Sequence, residues 1–172
     1  MSGRRIVAVI VGACMWVIVA GAGRLTHLLA LQAQTAVLSP TAASCPVTRP
    51  NGQVPPGEQP DAQSYGNGAL WTILWRDGTV IFEPDGSGFL LANGSLKMKF
   101  PWWRSVSDPL TITGKRLDAP AAPLRAEIPA GYSGRFQATS LVFPTEGCWE
   151  VTGRVGEASL TFVTRVVNHR TH

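Results

Sequence analysis

The stretch LVFPTEGCWEVTGRVGEASLTFVTRVV, residues 141–167, decides the fold. From Trp149 its residues alternate: Trp149, Val151, Gly153 and Val155 lie on one side, and Glu150, Thr152 and Arg154 on the other. After Gly156-Glu157 the alternation resumes, with Leu160, Phe162, Thr164 and Val166 opposed to Ser159, Thr161, Val163 and Arg165. A period of two places successive side chains on opposite faces of a strand, so each run has one buried and one wetter side. Two such runs joined through a glycine predict a hairpin. Ahead of them, Phe143-Pro144-Thr145-Glu146-Gly147-Cys148 reads as a corner that delivers the chain into the first strand.

Turn-marked runs continue upstream. Residues 70–76 and 79–83 read as strands, with Asp77-Gly78 between them as a strong hairpin signal. Asp85-Gly86-Ser87-Gly88 marks a turn before a short strand at 89–91. Asn93-Gly94 then turns into residues 95–100, where Leu96, Met98 and Phe100 face inward and Lys97 and Lys99 outward. Pro101-Trp102-Trp103-Arg104 and the polar residues up to Pro109 read as a loop. Further strands are predicted at 110–116, 124–128 and 136–143. About nine short strands with no helical pattern between them predict a sandwich or barrel, not a parallel α/β fold.

The N-terminal part is of another kind. Arg4-Arg5 precedes an uncharged apolar run at residues 6–23, IVAVIVGACMWVIVAGAG. A basic start and an apolar core are the parts of an export signal, and this run also reaches the lower limit for a membrane span. Ala20-Gly21-Ala22 offers an A-x-A cleavage site. Residues 1–23 are therefore expected to be a hydrophobic leader helix, a signal peptide or a signal anchor that holds the chain in a membrane if uncleaved. Residues 24–44 form a linker; helix formers without Gly or Pro occupy 25–37, and Ser39-Pro40 stops them. Either fate of the leader places the domain at 45–167 outside the cytoplasm, anchored at the cell surface or secreted. Residues 47–61, rich in Pro and Gly, read as an extended loop, and 168–172 as a polar tail.

The formal charge of +4 misleads, because Arg4, Arg5 and Arg24 all precede Cys45, leaving twelve Lys and Arg against 11 Asp and Glu. Lys97, Lys99, Lys115 and Arg116 are interleaved with strand hydrophobics, whereas a nucleic-acid footprint is a concentrated patch. No nucleic-acid partner is expected. Of the 3 cysteines, Cys14 lies in the leader, so Cys45 and Cys148 are an even pair in a chain with an export signal. They predict a disulfide.

Catalytic chemistry has little support. His27 lies in the linker and His169 and His172 in the tail, which leaves the domain body without an imidazole for nucleophile activation or a zinc site. Gly131-Tyr132-Ser133-Gly134 lacks the spacing of a nucleophile elbow and reads as a turn. Asp77, Asp85 and Asp108 fall where turns favour aspartate. Glu83, Asp85 and Asp118 are the carboxylates whose loops would have to meet to hold a cation, without EF-hand spacing. The expectation is a non-enzyme without cofactor or metal; a hydrolase using carboxylates gathered by the fold is the alternative.

The aromatics carry the binding candidates. Trp71, Ile73 and Trp75 share one strand phase opposite Leu70 and Leu74, which is either a central strand's core or a platform for stacking sugar rings. Trp102, Trp103 and Arg104 are the strongest loop candidates, one tryptophan plugging the domain end and the other exposed beside Arg104. A protein or a carbohydrate is the expected ligand class.

The run F-P-x-x-G-C-W-E-V from Phe143, its glycine turn and the following S-L-T-F-V-T-R-V resemble the last two strands of bacterial extracytoplasmic immunoglobulin-like domains. The segment from Cys45 resembles exported bacterial proteins of this kind. The resemblance implies an all-β, immunoglobulin-like antiparallel β-sandwich and a binding or structural role, and it carries no functional residues. Trp149 stands where that pattern more often has tyrosine, and Cys45 and Cys148 are not spaced as the pair that joins two sheets in antibodies.

Overall fold

The computed structural model describes residues 44–132 and 134–169. The expectations for the leader, for the linker apart from Ser44, for Ser133 and for residues 170–172 lie outside these. Among the described residues no helix is long and apolar enough to cross a membrane.

The described residues form ten strands: β1 (Ser64–Gly66), β2 (Leu70–Ile73), β3 (Thr79–Phe82), β4 (Phe89–Leu90), β5 (Leu96–Arg104), β6 (Leu110–Arg116), β7 (Arg125–Glu127), β8 (Phe136–Phe143), β9 (Gly147–Val155) and β10 (Ala158–Asn168). They make two sheets. A six-stranded sheet has the order β1-β2-β5-β8-β7, with β4 also on β5, and a four-stranded sheet has the order β3-β10-β9-β6.

The closing hairpin is packed as its alternation predicts. Trp149, Val151 and Val155 of β9 and Leu160, Phe162 and Val166 of β10 are all buried, while Arg154 and Thr161 are exposed. These side chains meet the inner phase of the six-stranded sheet. Phe162 lies 5.2 Å from Phe100 and 6.1 Å from Trp102 between ring centroids. The indole of Trp102 fills the space over Gly153, where any Cβ would collide with it. Gly153 therefore stands among large inward residues because the opposite sheet supplies the missing volume. Trp149 stacks edge-on against Phe143 at 5.7 Å, and its Nε1 donates to the Thr145 carbonyl at 3.1 Å, tying the β8–β9 corner.

Cys45 and Cys148 are bonded, with Cα atoms 5.4 Å apart across a sequence separation of 103. A loop of this size is stabilised by roughly 4–5 kcal/mol in the chain-entropy model, as an upper figure. The bond holds the entering segment beside β10. Thr48 donates its backbone N–H to the Val163 carbonyl at 2.9 Å, and its Oγ1 accepts from the Val163 N–H at 2.8 Å. Further on, the Asn51 side chain both donates to and accepts from the Gly66 backbone, covering the free edge of β1.

Two expectations are corrected. Asp77 and Gly78 do adopt left-handed conformations, φ 55° and 66°, yet they do not close a hairpin. β3 crosses to the other sheet and pairs with β10 in parallel, so the sandwich is not wholly antiparallel. The turn is drawn there because Thr164 Oγ1 donates to the Gly78 carbonyl at 2.9 Å, and the edge of β10 is open from Arg165 onward. Secondly, residues 101–104 are not loop, which is confined to 105–109: β5 runs on to Arg104, with Leu96 to Trp103 paired to β8. A residue's N–H and carbonyl point to the same side of a strand. The Pro101 carbonyl accepts from Thr72 Oγ1 at 2.7 Å, so its missing N–H faces the same side, where β2 and β4 leave β5 without a backbone partner at residues 98–101. Proline is tolerated in such an edge-like gap. At the C-terminal end, β10 runs through Asn168.

Trp149→Ala should cost about 3–5 kcal/mol, since it empties the core and orphans the Thr145 carbonyl. Glu150, on the opposite phase, makes only an exposed 3.2 Å pair with Lys115, so Glu150→Ala should cost less than about 1 kcal/mol. Denaturant melts compare the two; equal costs would mean that the strand faces are reversed. A smaller pH effect comes from Asp118. A hydrogen bond from Arg116 holds its carboxyl below the usual range. Its contribution is complete above the unfolded-state pKa and disappears as pH falls through the lowered one, so Asp118→Asn should flatten the acid side of the stability curve, read by urea melts from pH 2 to 6.

Candidate functional site

Because β5 buries Leu96, Met98, Phe100, Trp102 and Arg104, its other phase, Lys97, Lys99, Pro101 and Trp103, forms part of the outer face of the six-stranded sheet. Cross-strand register extends that face. Gly66 pairs with Trp71, Trp71 with Trp103, and Trp103 with Phe136, giving one row across β1, β2, β5 and β8. Trp103 and Phe136 meet edge-on at 5.3 Å with planes 64° apart. Tyr132, from the loop before β8, meets Phe136 at 5.8 Å. Phe136 is 41% exposed and Tyr132 39%.

Toward the other end of β5 the chemistry changes. Pro101 pairs with Ala138, Lys99 with Ser140, and Lys97 with Val142; Ser140 pairs onward with Glu127 and Val142 with Arg125. Phe89 of β4 sits opposite Lys97. Phe89, Leu90, Leu91, Lys97, Lys99 and Ser140 line an open hollow of about 390 Å³. Lys97 forms an ion pair with Glu127.

The five ligand-binding candidates separate on this geometry. Trp103 alone belongs to the accessible row, half-buried between Trp71 and Phe136. Trp71 is on the same row but only 5% exposed, its indole laid over Gly66, where a Cβ would collide with it. It serves as the floor at one end of the row. Trp75 does not share the face of Trp71: β2 ends at Ile73, and the chain turns so that Trp75 stacks on Phe100 at 4.8 Å against the core. Trp102 is fully buried, and its Nε1 has no hydrogen-bond partner among the described residues.

Arg104 is also enclosed, at 6% exposure. Its guanidinium donates to the carbonyls of Asp108 at 2.8 Å, Tyr132 at 3.1 Å and Gly134 at 3.4 Å. Three carbonyl dipoles replace part of the hydration that burial removes from the cation, while Nε has no partner among the described residues. Gln137, on the same inner phase, donates to the Pro129 carbonyl at 3.1 Å. Together these two side chains hold the loop that presents Tyr132, so Arg104 positions the aromatic row and does not reach it.

Phe136, Tyr132, Phe89 and Lys99 were not singled out from the sequence. The signal for Lys99 and Trp103 was present in the alternation of 96–104, which continues through Pro101. The signal for Phe136 was its place at the start of a strand whose pairing no local pattern specifies. Among the described residues no group of three or more His, Cys, Asp or Glu is arranged to hold a metal. No protein-family model matches the chain, and no curated protein is significantly similar to it.

Arg104→Ala should leave the Asp108, Tyr132 and Gly134 carbonyls without their charged donor. The expected cost is about 2–4 kcal/mol. Amide exchange should rise most at residues 129–135, read by hydrogen-exchange mass spectrometry. Uniform loss of protection would instead assign Arg104 to the core as a whole.

Proposed function

We propose that this chain is an extracytoplasmic, immunoglobulin-like binding module that engages a carbohydrate through the outer face of its six-stranded sheet. The carrying observation is the row formed by Trp103 and Phe136 with Tyr132, floored at one end by the buried Trp71, in which aromatic surface faces solvent on a regular sheet. A pyranose presents an apolar C–H face that stacks on aromatic rings and a polar rim that stays wet. Exposed apolar patches of this kind mark interaction surfaces in soluble domains. The rings are tilted 64° from one another, which suits a single twisting glycan chain better than a flat crystalline surface.

The immunoglobulin-like assignment draws on strand order. Taking β5 to β10 as strands B to G, one sheet contains B-E-D and the other C-F-G, the order of that fold. The bond from Trp149 to Thr145 fits as a tryptophan counterpart of the tyrosine corner, reaching back to the backbone at the entry to strand F. The disulfide supports an oxidising compartment, and the Arg4-Arg5 leader supports export or tethering.

Affinity electrophoresis of the full-length chain through gels containing soluble glycans tests the reading. At least one glycan should retard the protein, and Phe136→Ala and Tyr132→Ala should reduce that retardation severalfold. Both residues are exposed, so each variant should keep stability within about 1 kcal/mol of the parent. Absence of retardation by every glycan, or retardation indifferent to both variants, would overturn the reading.

A further inference from the structure

We infer that the glycan bound on this face is anionic, carrying carboxylate or sulfate groups that seat in the hollow beside Lys99; the inference rests on the carbohydrate reading above. The outward phase of β5 passes from Trp103 through Pro101 to Lys99 and Lys97. At the rise of a β-strand, Lys99 lies about 13 Å from Trp103, so an occupant that touches both is an extended chain. The cross-strand rows at that end carry Lys97, Lys99 and Arg125 against a single carboxylate, Glu127. Lys97 already neutralises Glu127. Lys99 and Arg125 have no carboxylate partner among the described residues, and Lys99 lines the 390 Å³ hollow together with the Ser140 hydroxyl and the apolar Phe89 and Leu90. One uncompensated cation beside the apolar wall, Lys99, with Arg125 two strands further across the same face, complements a ring bearing a negative group.

The layout separates a glycan from a single-stranded nucleic acid. Stacked bases bring a phosphate at every step, which requires a cation alongside each aromatic. Here the cross-strand neighbours of Trp103 are Trp71 and Phe136, and the cations stand apart at the far end of the strand. A glycan stacks on the aromatics by its C–H faces and needs charge only where an anionic unit enters the hollow.

Retention of the full-length chain is compared on polygalacturonate, dextran sulfate, neutral hydroxyethyl cellulose and a single-stranded oligonucleotide, at low and physiological salt. One or both anionic glycans should bind more strongly than the neutral polymer, and salt should weaken them. Lys99→Glu should weaken anionic binding about fivefold or more. Arg154→Glu, the same charge change on the outer side of the other sheet, should leave it unaltered. Phe136→Ala should weaken it as well. Neutral polymer bound as tightly as the anionic ones, dependent on Phe136 but indifferent to Lys99→Glu, would overturn this inference and leave the carbohydrate reading standing. Anionic binding that ignores Phe136, or that favours the oligonucleotide, would mean ion exchange or nucleic-acid binding and would overturn it too. Failure of every polymer to bind would remove the carbohydrate reading itself.

Discussion

The seating of Trp102 over Gly153 is the contact on which most of this structure depends. It joins the middle of the six-stranded sheet to the middle of the four-stranded one, and it works only if both strands present the right phase at the right height. Phe100 and Phe162 close around it. Moving β5 by one residue would turn Trp103 inward and set its neighbours against the wrong partners. The interior therefore locks the register of β5, and the locked register is what displays Lys97, Lys99, Pro101 and Trp103 on the opposite side. The candidate site is a consequence of core packing, one residue out of phase with it.

The two outer faces have become different surfaces. On the four-stranded sheet the outward residues are Thr111, Thr113 and Lys115 on β6, Glu150, Thr152 and Arg154 on β9, and Ser159 and Thr161 on β10. Cross-strand pairs such as Thr152 with Thr161, 2.8 Å apart, and Lys115 with Glu150 make this part of it an ordinary solvated face. On the six-stranded sheet the outward phase carries Trp71, Trp103 and Phe136, with buried polar ties at its end. Arg104 and Gln137 spend their hydrogen bonds on the loop that adds Tyr132. Placing a buried guanidinium there holds a surface loop still without placing a charge among the aromatics.

Edges and entry are managed by the segment that precedes the first strand. The disulfide fixes Cys45 to the outer side of β9, and Thr48 and Asn51 satisfy backbone groups on β10 and β1. The start of the long polar loop after Val47 is thereby tied to both sheets, through β10 and through β1.

Local pattern was sufficient where one chain segment decides its own environment. The phases of β9 and β10, the inward set Leu96, Met98 and Phe100, the bounds of β6 and β8, and the pairing of Cys45 with Cys148 all followed from period-two alternation, turn residues and cysteine parity. Sequence alone therefore determined an all-β domain closed by a hairpin and a disulfide. Tertiary structure decided the rest, because sheet membership and exposure depend on partners distant in the chain. Asp77-Gly78 has the same left-handed geometry in a hairpin as in a crossover, and only the open edge of β10 sends β3 to the other sheet. Pro101 ends a strand or continues it according to whether its missing N–H faces a partner. Trp71, Trp75, Trp102 and Trp103 look alike in the sequence, and their fates diverge because each meets a different surface: Gly66, Phe100, Gly153 or solvent beside Phe136.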